Sequence, residues 1–296
     1  MAQRRYIPTL LLVLALSCVG RTVAQDDYVQ APVPSGPWGS VYLMSGASRL
    51  EQRDLLISDF RSLAPEAEML DQDFTGFRQS ISWWSAPSSA AISAIVGVHP
   101  FRNEQRRGPE LRLGLQFASG VVGTLDYERS LRFPLDTLVS PSTGTTFVID
   151  SIHTTQYSFQ HRADRIGAEG SLIFRTGGRS RWSVYGGVGL GFGARVNATT
   201  SLTRTERWSV SFPAGGSQFD NGSSREERYT NSGGAWFMAQ VPFGFGFQLA
   251  RHGDFLRRMD LFIEGRLGTL VQGSDELGTI TSFGAQTLFG LRVRID

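Results

Sequence analysis

The sequence predicts an all-β protein, an eight-stranded antiparallel transmembrane up-and-down β-barrel with long extracellular loops. Three observations carry this. Apolar and polar residues alternate with a period of two over runs of about 13 to 17 residues. Strands of soluble sandwiches run about 5 to 6 residues, whereas tilted membrane strands prolonged outside the bilayer reach such lengths. Short and long connections then alternate along the chain, as in barrels with short periplasmic turns and long outer loops. Finally, the chain opens on an export signal but contains no later apolar stretch of about 18 residues, so a closed barrel is the remaining way to span a membrane.

The signal occupies residues 1–24: Arg4 and Arg5, an apolar core within Leu10 to Leu16, and Thr22-Val23-Ala24 before Gln25. Its apolar core is too short for a helical anchor. Ala15-Leu16-Ser17-Cys18 is a faint lipoprotein box, and Cys18 is the only cysteine, so cleavage after Ala24 leaves none for a disulfide or thiolate metal site. Residues 25–37 form a periplasmic arm and 38–296 the barrel. All 29 basic residues are arginine, and the formal charge is only +2, which argues against a nucleic-acid partner.

The strands are read as 38–46, 89–101, 110–133, about 156–176, 181–197, 235–250, 257–272 and 281–296. In the last of these, Phe283, Ala285, Thr287, Phe289, Leu291, Val293 and Ile295 alternate with Ser282, Gly284, Gln286, Gly290, Arg292 and Arg294. The segment 76–85 competes with 38–46 for the first strand. Choosing 38–46 makes 49–75 an outer loop in which Leu55, Leu56, Phe60 and Leu63 form a short amphipathic helix. The other long outer loops are Leu135 to about Thr155 and Ala198 to Gly234. Pro242 removes a ladder donor in mid-strand, and a bulge is expected there.

Runs such as Trp182-Ser183-Val184-Tyr185-Gly186-Gly187-Val188-Gly189-Leu190-Gly191 and Gly108-Pro109-Glu110-Leu111-Arg112-Leu113 resemble small outer-membrane barrels of the OmpA-like transmembrane type, of the kind found in Bacteroidota-like bacteria. That resemblance implies export, contact with outer-membrane lipid, assembly by the barrel-assembly machinery and no single activity. The chain departs from it in ending on Asp296 rather than an aromatic residue.

Alternation turns a set of charges into the lumen: Arg112, Glu169, Asp260, Glu264, Arg266, Arg292 and Arg294, together with Arg165, Arg175, Arg195, Asp126 and Glu128. Asp260 comes opposite Arg292 if the last hairpin turns near 275–276. An eight-stranded lumen is just wide enough for side chains to fill, which disfavours a pore. No catalytic spacing, cofactor motif or metal-ligand set stands out; His161 with Asp164 is the one pair worth testing. A non-enzymatic role is therefore expected, with an envelope or extracellular partner met through the outer loops. In the longest loop Trp208, Phe212, Phe219 and Tyr229 are the contact candidates, although continued alternation would equally let Trp208 to Phe212 prolong the wall.

Overall fold

The computed structural model describes residues 38–49, 55–80, 89–99, 109–139, 142, 144, 146–176, 181–211, 217–250 and 255–295. The signal and N-terminal arm lie outside them, as do most of the inner turns. Among the described residues ten strands form one antiparallel sheet: β1 (Trp38–Ser48), β2 (Arg78–Ser80), β3 (Ser89–Val98), β4 (Glu110–Val139), β5 (Thr146–Arg175), β6 (Trp182–Ser211), β7 (Ser217–Thr230), β8 (Gly234–Gln248), β9 (Met259–Ser274) and β10 (Gly278–Arg294). Eight of them close a hydrogen-bonded ring in the order β1-β3-β4-β5-β6-β8-β9-β10, with β1 returning to β10 from Ser40↔Arg294 to Ser48↔Gln286. β2 and β7 stand outside the ring, paired to the distal parts of β4 and β6. The segment at 38–46 is thus the first wall strand; of the competing segment 76–85, the described residues form only β2, outside the ring, and 81–85 lie outside the described residues.

The wall is inverted relative to a soluble protein. Leu43, Leu115, Val188, Phe192, Phe283 and Phe289 are each at least 60% exposed on the outside, while Arg112, Arg165, Arg195 and Glu264 are buried within. A closed ring with apolar outer and charged inner residues leaves no open sheet edge to be satisfied by water, and is a membrane-spanning barrel.

Three strands continue well past the ring. β4, β5 and β6 have 30 residues each, and with β7 they build a four-stranded blade at the end opposite the start of β1 and the end of β10. The regions expected as loops at 135–155 and 198–234 are therefore mostly strand among the described residues, their backbones pairing in ladders out to Val139↔Thr146 and Ser211↔Ser217.

Two bulges let these strands leave the membrane. β4 inserts Val122 between the pairs Val121↔Arg162 and Gly123↔His161. β6 places Asn197 and Ala198 opposite the single residue between Arg162 and Asp164, and Asn197 takes φ 52°. Asparagine tolerates that left-handed backbone better than most residues. Val122 and Ala198 close on Ala163 from both sides. Beyond this level the faces of β4 and β6 exchange: Leu125, Tyr127 and Leu202 turn inward, and Asp126 and Glu128 turn out. The expected lumen position of Asp126 and Glu128 is corrected accordingly, since one inserted residue flips every later side chain.

The inward face of the blade is covered by a cap from the β1–β2 connection. Helix α1 (Ile57–Leu63) starts at Leu56, whose N–H donates to Asp59 Oδ2 at 2.9 Å, and a 3-10 turn follows at Glu68–Leu70. Phe60, Leu63, Met69 and Leu70 pack on Leu125, Tyr157, Phe159 and Leu202. Phe74 stacks on Tyr127 with centroids 4.7 Å apart and meets Tyr157 edge-on at 5.3 Å. Leu56, by contrast, is exposed.

Pro242 causes no bulge. Its pairing with β9 runs unbroken through Pro242↔Arg266, and the β6–β8 register is the same on both sides of a gap opposite Gly187 and Val188. The missing donor is absorbed by a break in one ladder.

Deleting Val122 should return Leu125 and Tyr127 to the outer face while leaving the ring's lower registers intact. The expected result is a barrel that still shifts on unheated gels but whose 55–77 segment is cut by protease at least tenfold faster than in the parent. Unchanged protection would show that the bulge does not set the faces.

Candidate functional site

The lumen is filled by two joined charge networks. At the end holding the start of β1, Asp260 lies directly across from Arg292 in the β9–β10 ladder, with Arg292 Nη1 3.3 Å and Arg294 Nη2 3.5 Å from its carboxylate. Arg294 is the most solvent-exposed of this group, at the rim. Glu110 enters from β4: its Oε1 accepts from Tyr42 Oη at 2.5 Å and Ser40 Oγ at 2.7 Å, and its Oε2 stands 4.0 Å from Arg292.

One layer deeper, Glu264 accepts three donors. Arg112 Nη1 at 2.7 Å and Tyr185 Oη at 2.9 Å share its Oε2, and Arg266 Nε at 2.7 Å takes Oε1. Arg266 Nη1 also reaches Glu169 of β5 at 2.5 Å. The Arg112 guanidinium lies 4.2 Å from the Tyr42 ring centroid and 4.9 Å from that of Tyr185. Gly187 of β6 lets the wall strands approach closely on this side, since a Cβ there would sit 2.0 Å from the Leu172 carbonyl of β5. The seven residues singled out from the sequence thus fall into two groups, joined through Glu110 and Tyr42. Sequence reasoning did not name Glu110, Tyr42 and Tyr185 as members of the network, although all three sit at the inward parity of their strands, which was the available signal.

Above these layers the lumen holds Gln116, Gln286 and Ser48 in a polar chain, then Trp236, Met238 and Leu270. Trp236 Nε1 donates to the carbonyls of Ile166 and Ala194, and the Arg165 guanidinium lies 5.2 Å from its ring. The buried charges of the two networks are ion-paired with one another, and their side chains fill this part of the bore.

His161 marks the junction of lumen and cap, beyond the apolar belt. Its Nε2 faces Arg195 Nη2 at 3.0 Å and its Nδ1 faces Thr200 Oγ1 at 3.0 Å. Thr200 donates to Asn231 Oδ1 at 2.6 Å, and Asn231 Nδ2 donates to the Leu63 carbonyl at the end of α1, also at 2.6 Å. One proton arrangement satisfies the chain: neutral imidazole, Nδ1 donating to Thr200 and Nε2 accepting from Arg195. Burial, then the Arg195 charge, push His161 down to about 4, against the opposing pull of Glu276. Glu276 itself, in the β9–β10 turn, is held below its ordinary value because hydrogen bonds from Ser232 N and Oγ outweigh its burial. Asp164 faces outward and takes a bond from Asn197 Nδ2 at 3.0 Å, so the structure does not bring it to His161.

On the blade, Trp208 stacks on His153 with centroids 4.1 Å apart and planes at 16°. Leu131, His153 and Trp208 form one cross-strand row, followed by Phe133, Ser151 and Val210. Phe133 is 47% and Trp208 44% exposed, beyond the reach of the cap. Tyr229 instead packs against the cap core and donates to Glu227 at 3.1 Å. Phe219 pairs with Ser209 through its backbone, and Phe212 lies outside the described residues. No helix of the described residues is long and apolar enough to cross a membrane.

No protein-family model and no curated protein matches the chain. Among solved structures it is similar to Neisserial surface protein A at 12% identity, with 88% of this chain and 98% of that one covered and a TM-score of 0.31. It is also similar to Ail, the attachment invasion locus protein of Yersinia pestis, at 12% identity, with 87% and 99% covered and a TM-score of 0.21. The superpositions are loose, and the class of the protein rests on its own closed ring: an eight-stranded membrane-spanning barrel with a filled lumen, an ordered cap and a protruding blade.

Glu264→Gln removes the charge that three donors share and should cost about 3 to 5 kcal/mol. Asp260→Asn, nearer the rim, should cost less than half of that. Urea unfolding in vesicles ranks the two, and equal or negligible losses would mean that lumen water carries these charges. A second expectation concerns acid. The ordinary imidazole value is about 6.5, and a lowered native value means that the unfolded state binds the proton first. His161 therefore contributes fully above about pH 6.5, and its contribution fades as pH falls from there toward about 4. Protease cutting of the cap should accelerate over that window in the parent and stay flat in His161→Asn.

Proposed function

We propose that the protein is a non-enzymatic component of the bacterial outer membrane, of the OmpA-like barrel kind, that acts by presenting its blade and cap to an extracellular partner. The observation that carries this reading is the length of β4, β5 and β6. Crossing a bilayer takes about 9 to 11 residues of a tilted strand, and each of these strands has 30. The surplus has its own hydrophobic core and ion pairs, among them Arg225 to Glu68 at 2.7 Å between blade and cap. An ordered structure of that size outside the membrane adds nothing to anchoring, and surface contact is its natural use. Orientation follows from the same argument, with the blade outside and the short turns in the periplasm. The filled lumen speaks against a channel, and the separation of His161 from Asp164 against a hydrolytic pair. Signal cleavage, passage through the barrel-assembly machinery and contact with outer-membrane lipid belong to this reading.

The test separates blade from barrel. Replacing 205–224 by a short glycine and serine linker retains Leu202 and Tyr229, and with them the cap core. The expected outcome is unchanged assembly and heat shift on gels together with loss of surface phenotypes such as adhesion or phage sensitivity. Trp208→Ala should reproduce most of that loss. Persistence of every surface phenotype in both variants would overturn the proposal.

A further inference from the structure

Resting on that surface role, we infer that the uncovered inner face of the blade docks an acidic segment of a partner protein, rich in phenylalanine and leucine. The face consists of two cross-strand rows beyond the cap: Leu131, His153 and Trp208, then Phe133, Ser151 and Val210. Their parity continues that of Leu125, Tyr127, Tyr157, Phe159 and Leu202, which pack with the cap. No register shift separates the two sets in the β4–β5 or the β5–β6 ladder. One sheet face is therefore buried in its lower part and open in its upper part. Leu131, Phe133 and Trp208 are all exposed, and large apolar side chains set together in water mark a contact surface. His153 takes one ring face of Trp208, so the exposure of that residue belongs to the rest of its ring.

The cap shows the chemistry that this face accepts. Residues 55–77 seat Phe60, Leu63, Met69 and Leu70 against the blade, and they carry Asp59, Glu66, Glu68, Asp71 and Asp73 against Arg61 alone. One of these acids pairs across the interface, with Glu68 Oε2 2.7 Å from Arg225 Nη2. The upper rows repeat both halves of that recognition. Their apolar half is Leu131, Phe133, Trp208 and Val210. Their cationic half is Arg129, one inward position below Leu131 on β4, whose guanidinium lies 4.5 Å over the ring of Phe77 where the cap ends. Its Nε has no hydrogen-bond partner among the described residues. A guanidinium held flat on a ring beside apolar rows suits a carboxylate. Arg204 on β6 is, by contrast, already paired with Glu206. A segment that continues the cap's packing would thus set aromatic and aliphatic side chains on the two rows and an acid on Arg129. The rows belong to paired sheet, so most of the ordering cost falls on the partner.

The probe is a synthetic peptide of this chain's own residues 66–77, which holds Met69, Leu70, Phe74 and Phe77 together with four of the acids. The full-length protein is folded into phosphatidylcholine nanodiscs, and binding of the labelled peptide is read by anisotropy. Saturable binding is expected in the parent, about 30-fold weaker in Trp208→Ala and clearly weaker in Phe133→Ser. Arg129→Gln should weaken it by about fivefold and remove most of its salt dependence. A peptide with serine in place of both phenylalanines and of the leucine should not bind. The heat shift on gels and the protease protection of 55–77 should stay unchanged in each variant and on adding peptide.

Absence of saturable binding in the parent, or equal binding in Trp208→Ala, overturns the site. Binding that speeds cutting of 55–77 would put the peptide on the cap's own seat, and a parent that dimerises through Trp208 without peptide would give the rows to a second copy; either result also overturns it. Loss of surface phenotypes in Trp208→Ala with no peptide binding in the parent overturns the partner's chemistry and leaves the surface role standing. Tight, Trp208-dependent binding with every surface phenotype intact in that variant does the opposite.

Discussion

The whole structure depends on one constraint, that strands which are apolar outside within the bilayer must become apolar inside once they leave it. A wall facing lipid and a blade facing water need opposite faces, yet both are built from the same continuous strands. β4 and β6 meet this by inserting backbone, Val122 in one and Asn197-Ala198 in the other, so the sequence keeps its phase while the faces exchange. β5, caught between them, stays regular and changes the phase of its sequence: Tyr157 and Phe159 are inward, whereas Ile166 and Phe174 are outward. The three solutions meet at Ala163, where small residues allow both bulges to close.

That junction explains why the lumen and the cap are not independent bodies. Side chains below it are charged and need partners across the bore; those above it are apolar and need a cover. His161 stands between the two, and the path from Arg195 through His161, Thr200 and Asn231 to the Leu63 carbonyl is a continuous hydrogen-bonded connection from lumen to helix. Each bond in it is directional, so the cap is positioned by the wall rather than resting on it through apolar contact alone.

How much of this was legible follows from the same physics. Alternation revealed the eight wall strands and placed Asp260 opposite Arg292, because a two-residue period fixes faces wherever the ladder is regular. It misplaced Asp126 and Glu128, since a bulge leaves no mark in a sequence whose phase continues. The one readable sign was the phase change in β5 between Phe159 and Ile166, which a regular strand next to unshifted neighbours would not tolerate. The blade was hidden for a related reason: loops are inferred where apolar alternation weakens, and Arg204, Glu206, Arg225 and Glu227 weaken it while remaining in strand, paired with one another. Pro242 failed in the opposite direction, as a local rule overridden by a register that its neighbours already held.

The blade's rigidity bears on where recognition energy comes from. A mobile loop pays to become ordered on binding, and that cost is subtracted from every contact it makes. Here the ordering is already complete: β5 and β6 pair out to Asp150↔Ser211, and β6 and β7 pair out to Ser211↔Ser217. Trp208, set flat against His153, keeps an aromatic face available without rotamer freedom to lose. Its row-mate Leu131 and the adjoining Phe133 lie on the same face as the covered core, past the point where Phe74 and Phe77 end the cap. The blade therefore presents, at its tip, the uncovered continuation of a surface that its lower part buries, and a partner seated there would complete the packing that the cap begins.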